Sequence, residues 1–178
     1  MSFPNLIKAI KEAQQINCNN YKFNKYSFGE EGTFLTYEII KEIKEGLLSI
    51  CNKFNPDYIV STEPGGHLWG LLIASEIGKP INIIRSTNNK LTLNKNIRRQ
   101  RTGYCIRKLY FDNFREGDSV IIVEDVIGTG STLKLIIDTL KSKGVKIQAA
   151  LSILRKGIDK LDIKYKIPIL SIIDLRNK

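Results

Sequence analysis

Residues Asp118 to Leu133 read D-S-V-I-I-V-E-D-V-I-G-T-G-S-T-L, and the order of chemistry along them sets the fold. Val120 to Val123 is an unbroken apolar, β-branched run, as a parallel strand buried on both faces requires. Two carboxylates, Glu124 and Asp125, follow at once, and then Gly128-Thr129-Gly130-Ser131-Thr132. The next segment places Leu133, Ile136, Ile137 and Leu140 at helical spacing and stops at Gly144. Glycines let backbone N–H groups turn inward, and Thr129, Ser131 and Thr132 add hydroxyl donors at the positive end of a helix. Together they form a cradle for a phosphate monoester. The acids would repel that phosphate, so their use is to accept bonds from sugar hydroxyls or to hold Mg²⁺ through water. Adjacent side chains on a strand face opposite ways, so the strand is expected to end at the acids, letting both reach one sugar. The loop lacks G-x-x-x-x-G-K-[ST], and Leu133 stands where a dinucleotide fingerprint needs its third glycine.

Outward from this stretch, helical and strand patterns alternate. Phe3 to Ile16 carries Leu6, Ile7, Ile10 and Ala13 at helical spacing, and Tyr21 to Phe28 alternates like a half-exposed strand whose aromatics cover core. Thr36 is placed to cap a helix running to Phe54. Tyr58-Ile59-Val60 reads as a strand entering the loop Ser61 to His67, followed by a helix with Leu68, Leu71, Leu72 and Ile77 that stops at Gly78. Pro80 to Arg85 is another strand, ending in a cation. Arg85 to Gln100 has no period and reads as an extended flap that returns as a strand from Arg101 to Phe111. Val145 to Leu154 and Pro168 to Ile173 complete the strands. The alternation implies an α/β fold: an open, mainly parallel twisted sheet with helices on both faces and right-handed crossovers. The Glu63–Gly66 loop, Arg85 and the Glu124–Thr132 loop then share the edge where such sheets bind ligands.

A chain of 178 residues, 42% of them hydrophobic, makes one domain. No stretch of ~18 apolar residues occurs and the first residues carry no signal-peptide core, which gives the expectation of a soluble, cytoplasmic protein. Cys18, Cys51 and Cys105 are odd in number and form no C-x-x-C pair, so free thiols are expected rather than zinc ligands or a disulfide frame. Net charge is +10, and between Glu76 and Asp112 there is no acid, while Lys79, Arg85, Lys90, Lys95, Arg98, Arg99, Arg101, Arg107 and Lys108 lie there. Such a cluster suits a polyanion, either nucleic acid or a small molecule bearing several phosphates. His67 reads as a helix-start or cavity-lining residue, and Trp69 as core or subunit contact.

An apolar strand, two acids, two apolar residues and a Gly/Thr/Ser loop resemble the phosphoribosyl-pyrophosphate signature of the type I phosphoribosyltransferases, and the resemblance runs from about Phe34 to Ile173. It implies that Glu124 and Asp125 meet the ribose hydroxyls and that Val126, Ile127, Gly128, Thr129, Gly130, Ser131 and Thr132 hold the 5-phosphate. Glu63-Pro64-Gly65-Gly66 looks like the family's pyrophosphate loop, with a cis peptide expected at Glu63-Pro64, and Arg85 resembles the cation offered to pyrophosphate. Catalytic roles thus fall to Glu124, Asp125 and Arg85. Lys90, Arg99, Arg101 and Tyr104 belong to a region that resembles the flap of compact archaeal purine members. The resemblance implies a single domain over residues 1–178, with 1–35 and 155–178 contributing to a small hood and 86–110 forming a flexible loop or hairpin. It also implies Mg²⁺ held through the substrate, by way of water to Glu124 or Asp125 and with no direct protein ligand. The implied partners are phosphoribosyl pyrophosphate, a purine base and a second copy in a homodimer, with neither membrane nor nucleic acid.

Adenine-specific relatives often carry Arg where Gly65 stands and an acid in the flap; hypoxanthine–guanine relatives carry an acid where Gly128 stands. The expected function is purine salvage, with adenine slightly ahead of hypoxanthine or guanine. Base recognition is assigned to Phe23, Tyr26 or the segment around Arg155–Gly157 without a choice among them. The alternatives are a phosphoribosyltransferase-like transcriptional regulator, which no winged-helix or helix-turn-helix pattern in the sequence supports, and a pyrimidine-directed relative.

Overall fold

The computed structural model describes residues 2–18, 21–29, 34–86, 96–101, 106–157 and 160–176. In chain order the elements are α1 (Pro4–Lys11), β1 (Gln14–Cys18), β2 (Tyr21–Lys25), α2 (Tyr37–Cys51), β3 (Tyr58–Thr62), α3 (Gly66–Glu76) and β4 (Ile81–Ser86). Then follow β5 (Ile97–Arg101), β6 (Ile106–Tyr110), β7 (Ser119–Ile127), α4 (Ser131–Ser142), β8 (Lys146–Arg155), α5 (Leu161–Tyr165) and β9 (Ile169–Asp174). Seven strands form one sheet in the order β5-β6-β4-β3-β7-β8-β9, and β1 and β2 form a separate antiparallel ribbon. From β4 to β9 every pairing is parallel, while β6 adds antiparallel to β4 and β5 to β6. The open, mainly parallel sheet expected from the alternation is the one found.

The apolar run of β7 shows why both faces are covered. Ile121 and Val123 pack with Ile43, Leu47, Trp69 and Ile73 of α2 and α3, whereas Val120 and Ile122 pack with Leu133, Ile136, Ile137 and Leu140 of α4. Strand alternation sends one side chain each way, so a continuous apolar sequence is what a two-sided core demands. Thr36 caps α2 as expected, its Oγ1 accepting from the Ile39 N–H at 3.4 Å. Helix α3 sits unusually close to the sheet: a Cβ on Gly70 would lie 2.6 Å from the Ser61 Cβ, and one on Gly66 would lie 3.0 Å from the Val123 carbonyl oxygen.

Two expected elements differ. The opening helix stops at Lys11 and Gln14–Cys18 is a strand, because Ile16 fits a helical stripe in sequence but is fixed instead by pairing with Phe23 across the ribbon. Inside the stretch read as a flap, Ile97–Arg101 forms the edge strand β5, paired from Ile97↔Tyr110 to Arg101↔Ile106. Among the described residues no helix is long and apolar enough to cross a membrane. Of the three cysteines, Cys51 is a free, buried thiol whose pKa burial pushes up. Lys90 and Tyr104, and the rest of the flap between residues 87 and 95, lie outside the described residues.

Candidate active site

Chain direction fixes where a ligand can enter. From β3 the chain crosses through α3 to β4 on one side, and from β7 it crosses through α4 to β8 on the other, so the connections diverge between the neighbours β3 and β7. Such a switch point opens a crevice outside the carboxyl ends of the strands. The loop after β3 holds Glu63 to Gly66, and the loop after β7 holds Gly128 to Gly130.

At this crevice the strand does not end at the acids. β7 continues to Ile127, held by Val126↔Leu154 and Ile127↔Arg155 pairing with β8, so Glu124 and Asp125 keep strand alternation and face opposite sides of the sheet edge. Glu124 is 5% exposed and its Oε1 accepts from the Thr62 hydroxyl at 2.7 Å. Asp125 lies on the α3 side, close against the Gly65 backbone: a Cβ built on Gly65 would sit 2.1 Å from Asp125 Oδ2. A side chain at position 65 would therefore require the Asp125 carboxylate or the loop to shift. The Ser61 hydroxyl donates to the Val123 carbonyl at 2.6 Å and ties the two strand ends together.

The loop after β7 turns sharply into α4 and leaves amides at its tip. Gly130 takes the left-handed conformation (φ 73°) that glycine adopts freely, and α4 begins at Ser131. The Ser131 N–H leans on Thr129 Oγ1 at 3.4 Å; among the described residues the N–H groups of Thr129, Gly130 and Thr132 have no protein acceptor. The chain after β8 buttresses this loop. Lys156 N–H donates to the Ile127 carbonyl at 2.8 Å, and at Gly157 (φ 89°) a Cβ would meet the Gly128 carbonyl oxygen at 2.9 Å.

On the other side, the Glu63–Pro64 peptide is cis, as expected. A cleft of about 350 Å³ is lined by Glu63, Pro64, His67, Ser86 and Arg107. Arg85 reaches this edge, but its guanidinium pairs with Glu63 at 2.6 Å and Arg107 is the cation lining the cleft. The other Glu63 oxygen accepts from Ser86 N–H at 3.0 Å. His67 is in the first turn of α3, and Trp69 is core, its Nε1–H donating to the Phe28 carbonyl at 2.8 Å.

That bond brings the segment after β2 over the crevice, where Gly29 approaches Asp125. Tyr26 stacks on Phe28 with ring centroids 5.2 Å apart, and the Lys156 ammonium donates to the Tyr26 hydroxyl at 3.1 Å. Arg155, next in line, points the other way: it is wholly buried, bonded to Asp162 at 3.3 Å and to the Ile169 carbonyl at 3.1 Å. Partial burial would raise the Asp162 pKa, but bonds from Arg155 and the Ile163 N–H, with the charges of Arg155 and Arg176, hold it below the usual value. Gln100 has no role assigned from sequence, Arg107 is one of nine cations in the basic cluster, and Lys156 lies inside the Arg155–Gly157 segment offered for the base. The acid-free stretch contained the first two, but only strand register shows which of its residues turn inward.

Residues 35–177 match the family model of the phosphoribosyl transferase domain. The chain belongs to the phosphoribosyltransferase family. Members of this family are pentosyltransferases, enzymes that move a phosphoribosyl group. The chain is similar to a hypoxanthine/guanine phosphoribosyltransferase of Methanobrevibacter ruminantium, 30% identical over 91% of this chain and 86% of the relative. A second relative of that name, from Methanohalobium evestigatum, is 31% identical over 96% of this chain and 89% of its own. In fold it resembles the adenine phosphoribosyltransferase of Thermoanaerobacter pseudethanolicus, with a TM-score of 0.69 at 20% identity over 96% of this chain and 99% of that one. The enzyme of that name from Leishmania tarentolae gives a TM-score of 0.71 at 18% identity, covering 98% of this chain and 88% of that one.

For a phosphoribosyltransferase, the crevice offers an amide-lined loop, two carboxylates near the carboxyl end of β7 and a cationic cleft. Among the described residues no group of three or more His, Cys, Asp or Glu is placed to hold a metal unaided. The Glu124 and Asp125 carboxylates are hard oxygen donors of the kind that can meet a divalent cation through water.

Proposed function

We propose that this phosphoribosyltransferase makes a purine nucleotide in salvage, transferring the 5-phosphoribosyl group of phosphoribosyl pyrophosphate to a free purine, with hypoxanthine or guanine preferred. The observation that carries the reading is the set of N–H groups at Thr129, Gly130 and Thr132, which have no protein acceptor among the described residues, beside the Glu124–Asp125 pair at the β3/β7 switch point. The 5-phosphate takes the amides and the start of α4. The ribose lies across the sheet edge, so that carboxylates on opposite faces can each accept from a hydroxyl. Arg107, Arg85 and the Glu63–Gly66 loop face the diphosphate.

The reaction breaks the bond from C1 of ribose to the pyrophosphate oxygen and forms one from C1 to a purine ring nitrogen, whose proton passes to water or a phosphate oxygen. Positive charge gathers on the sugar as the bond opens, and two buried carboxylates beside it stabilise that charge in a setting of low dielectric. Mg²⁺, arriving with the diphosphate and met by Glu124 or Asp125 through water, would neutralise charge on the leaving group. Holding both reactants along one edge supplies the remainder through proximity.

The preference for a 6-oxopurine rests on Lys156. An ammonium only donates, so beside the Tyr26 ring it suits the carbonyl of hypoxanthine or guanine and opposes the amino group of adenine. The names of the relatives at 30–31% identity lean the same way. The adenine enzymes at 18–20% identity speak to the fold. This reverses the slight lean toward adenine drawn from sequence. The hood is then Tyr26 to Gly29 meeting the chain after β8, and the setting is cytoplasmic. The test is to incubate the protein with Mg²⁺, phosphoribosyl pyrophosphate and each of hypoxanthine, guanine, adenine and uracil, following pyrophosphate release. Release with the 6-oxopurines ahead of adenine is expected; release with uracil alone, or with none, overturns the reading.

A further inference from the structure

The hairpin of β5 and β6 lies beside both loops, and its register decides which side chains meet them. Gln100 and Arg107 are directly opposed across the hairpin, and opposed residues of an antiparallel pair project from the same face. Arg107 lines the cleft with Glu63, Pro64, His67 and Ser86. Gln100, only 5% exposed, donates from Nε2 to Oγ1 of Thr132, the second residue of α4. One cross-strand pair therefore spans the crevice, with one member at each phosphate-seeking loop.

The direction of the Gln100 bond has a chemical consequence. A threonine hydroxyl carries one proton and two lone pairs. When an amide N–H fills a lone pair, the hydroxyl proton remains for an anion in the loop, and the O–H is polarised toward it. Had an acceptor faced Thr132 instead, that proton would be consumed inside the protein. The Thr129 hydroxyl is engaged locally, at 3.2 Å from the Ser131 oxygen, so it makes no such link to another element.

We propose that Gln100 is a positioning residue of the 5-phosphate site: it turns the Thr132 hydroxyl proton toward the phosphate and fastens the hairpin that carries Arg107 to the diphosphate cleft. The inference rests on reading Gly128–Thr132 as the 5-phosphate cradle. Its corollary is reciprocal coupling, in which phosphate in the loop steadies the hairpin and a docked hairpin tightens phosphate binding by the same factor.

The test compares the wild type with Gln100→Met, which removes the donor at similar volume, and Gln100→Glu, which can only accept. Calorimetry with ribose 5-phosphate reads the loop, amide exchange over residues 106–110 reads the hairpin, and thermal melting reports folding. Wild type should bind ribose 5-phosphate and show slower hairpin exchange when it is bound. Gln100→Met should bind about five- to tenfold more weakly and lose that protection, as loss of one net hydrogen bond implies. Gln100→Glu should be weaker again, because a carboxylate claims the Thr132 proton and adds negative charge beside the phosphate. Should Gln100→Glu not fold, the folded Gln100→Met variant decides alone. Wild-type affinity for ribose 5-phosphate in either folded variant overturns the proposal and leaves the cradle standing. A wild-type protein that ignores ribose 5-phosphate overturns both.

Discussion

Replacing Gly65 with alanine adds one methyl group and puts the site's geometry at risk. The backbone there (φ −92°, ψ −49°) suits any residue, so conformational strain plays no part. The new carbon would sit 2.1 Å from Asp125 Oδ2 and 2.6 Å from its Cγ. Non-bonded atoms need about 3.5 Å, so one partner must move by roughly 1 Å or more. The Asp125 backbone belongs to β7, hydrogen-bonded between β3 and β8, and the side chain is the softer element. A misplacement of about 1 Å in a group that positions substrate lowers rate by about 10²-fold, or roughly 2.7 kcal/mol of lost transition-state stabilisation. Overpacking adds a stability loss of about 1–3 kcal/mol. The assay is kcat/KM for nucleotide formation with hypoxanthine, alongside thermal melting, in wild type, Gly65→Ala, Asp125→Asn and the double variant. If the methyl acts through Asp125, its effect largely disappears once that carboxylate is gone. A folded Gly65→Ala enzyme with wild-type kcat/KM would show that the Asp125 position does not control turnover.

Further outcomes follow from other contacts. Asp125→Asn should lower kcat strongly with the melting temperature little changed; an unchanged rate removes the carboxylate from the mechanism. Arg107→Gln should raise the KM for pyrophosphate in the reverse reaction by about 10–100-fold, the loss of a charged hydrogen bond, and leave the KM for the base alone. Lys156→Met should cut kcat/KM for hypoxanthine by about 10–100-fold while sparing adenine, and equal losses for both would detach Lys156 from base choice. Asp162→Ala strips a partner from the wholly buried Arg155 and should destabilise the fold by about 2–3 kcal/mol, under the range for fully buried pairs because water still reaches Asp162. Because the folded Asp162 pKa lies below its ordinary 3.8, its stabilisation is present above that value and is lost as pH falls through the folded one. Melting temperatures of wild type should therefore fall below about pH 4 more steeply than those of Asp162→Ala.

The sequence was most readable where local signals and packing agree. The β7 run, the α4 stripe, the Thr36 cap and the cis bond at Glu63–Pro64 each announce themselves within a few residues. Strand β5 does not: Ile97-Arg98-Arg99-Gln100-Arg101 carries one apolar residue, and it is a strand because β6 supplies partners. The same non-locality hid the continuation of β7 past its acids, which depends on Leu154 and Arg155 of β8. The acids and the Gly128–Thr132 loop were legible as a motif. Arg107 and Lys156 were legible only as members of the basic cluster and of the Arg155–Gly157 segment, and Gln100 only as a polar residue, because their direction is decided by register and by Tyr26, distant in sequence.

If the proposed reaction is right, the amides of Gly128 to Thr132 receive the terminal phosphate of a ribose. Titrating isotope-labelled protein with guanosine monophosphate and, separately, with guanosine measures this directly through the N–H resonances of Thr129, Gly130 and Thr132. Saturable shifts at these amides with the monophosphate, absent or much weaker with the nucleoside, are the predicted result. Resonances that stay in place while the monophosphate binds elsewhere on the protein would contradict the account.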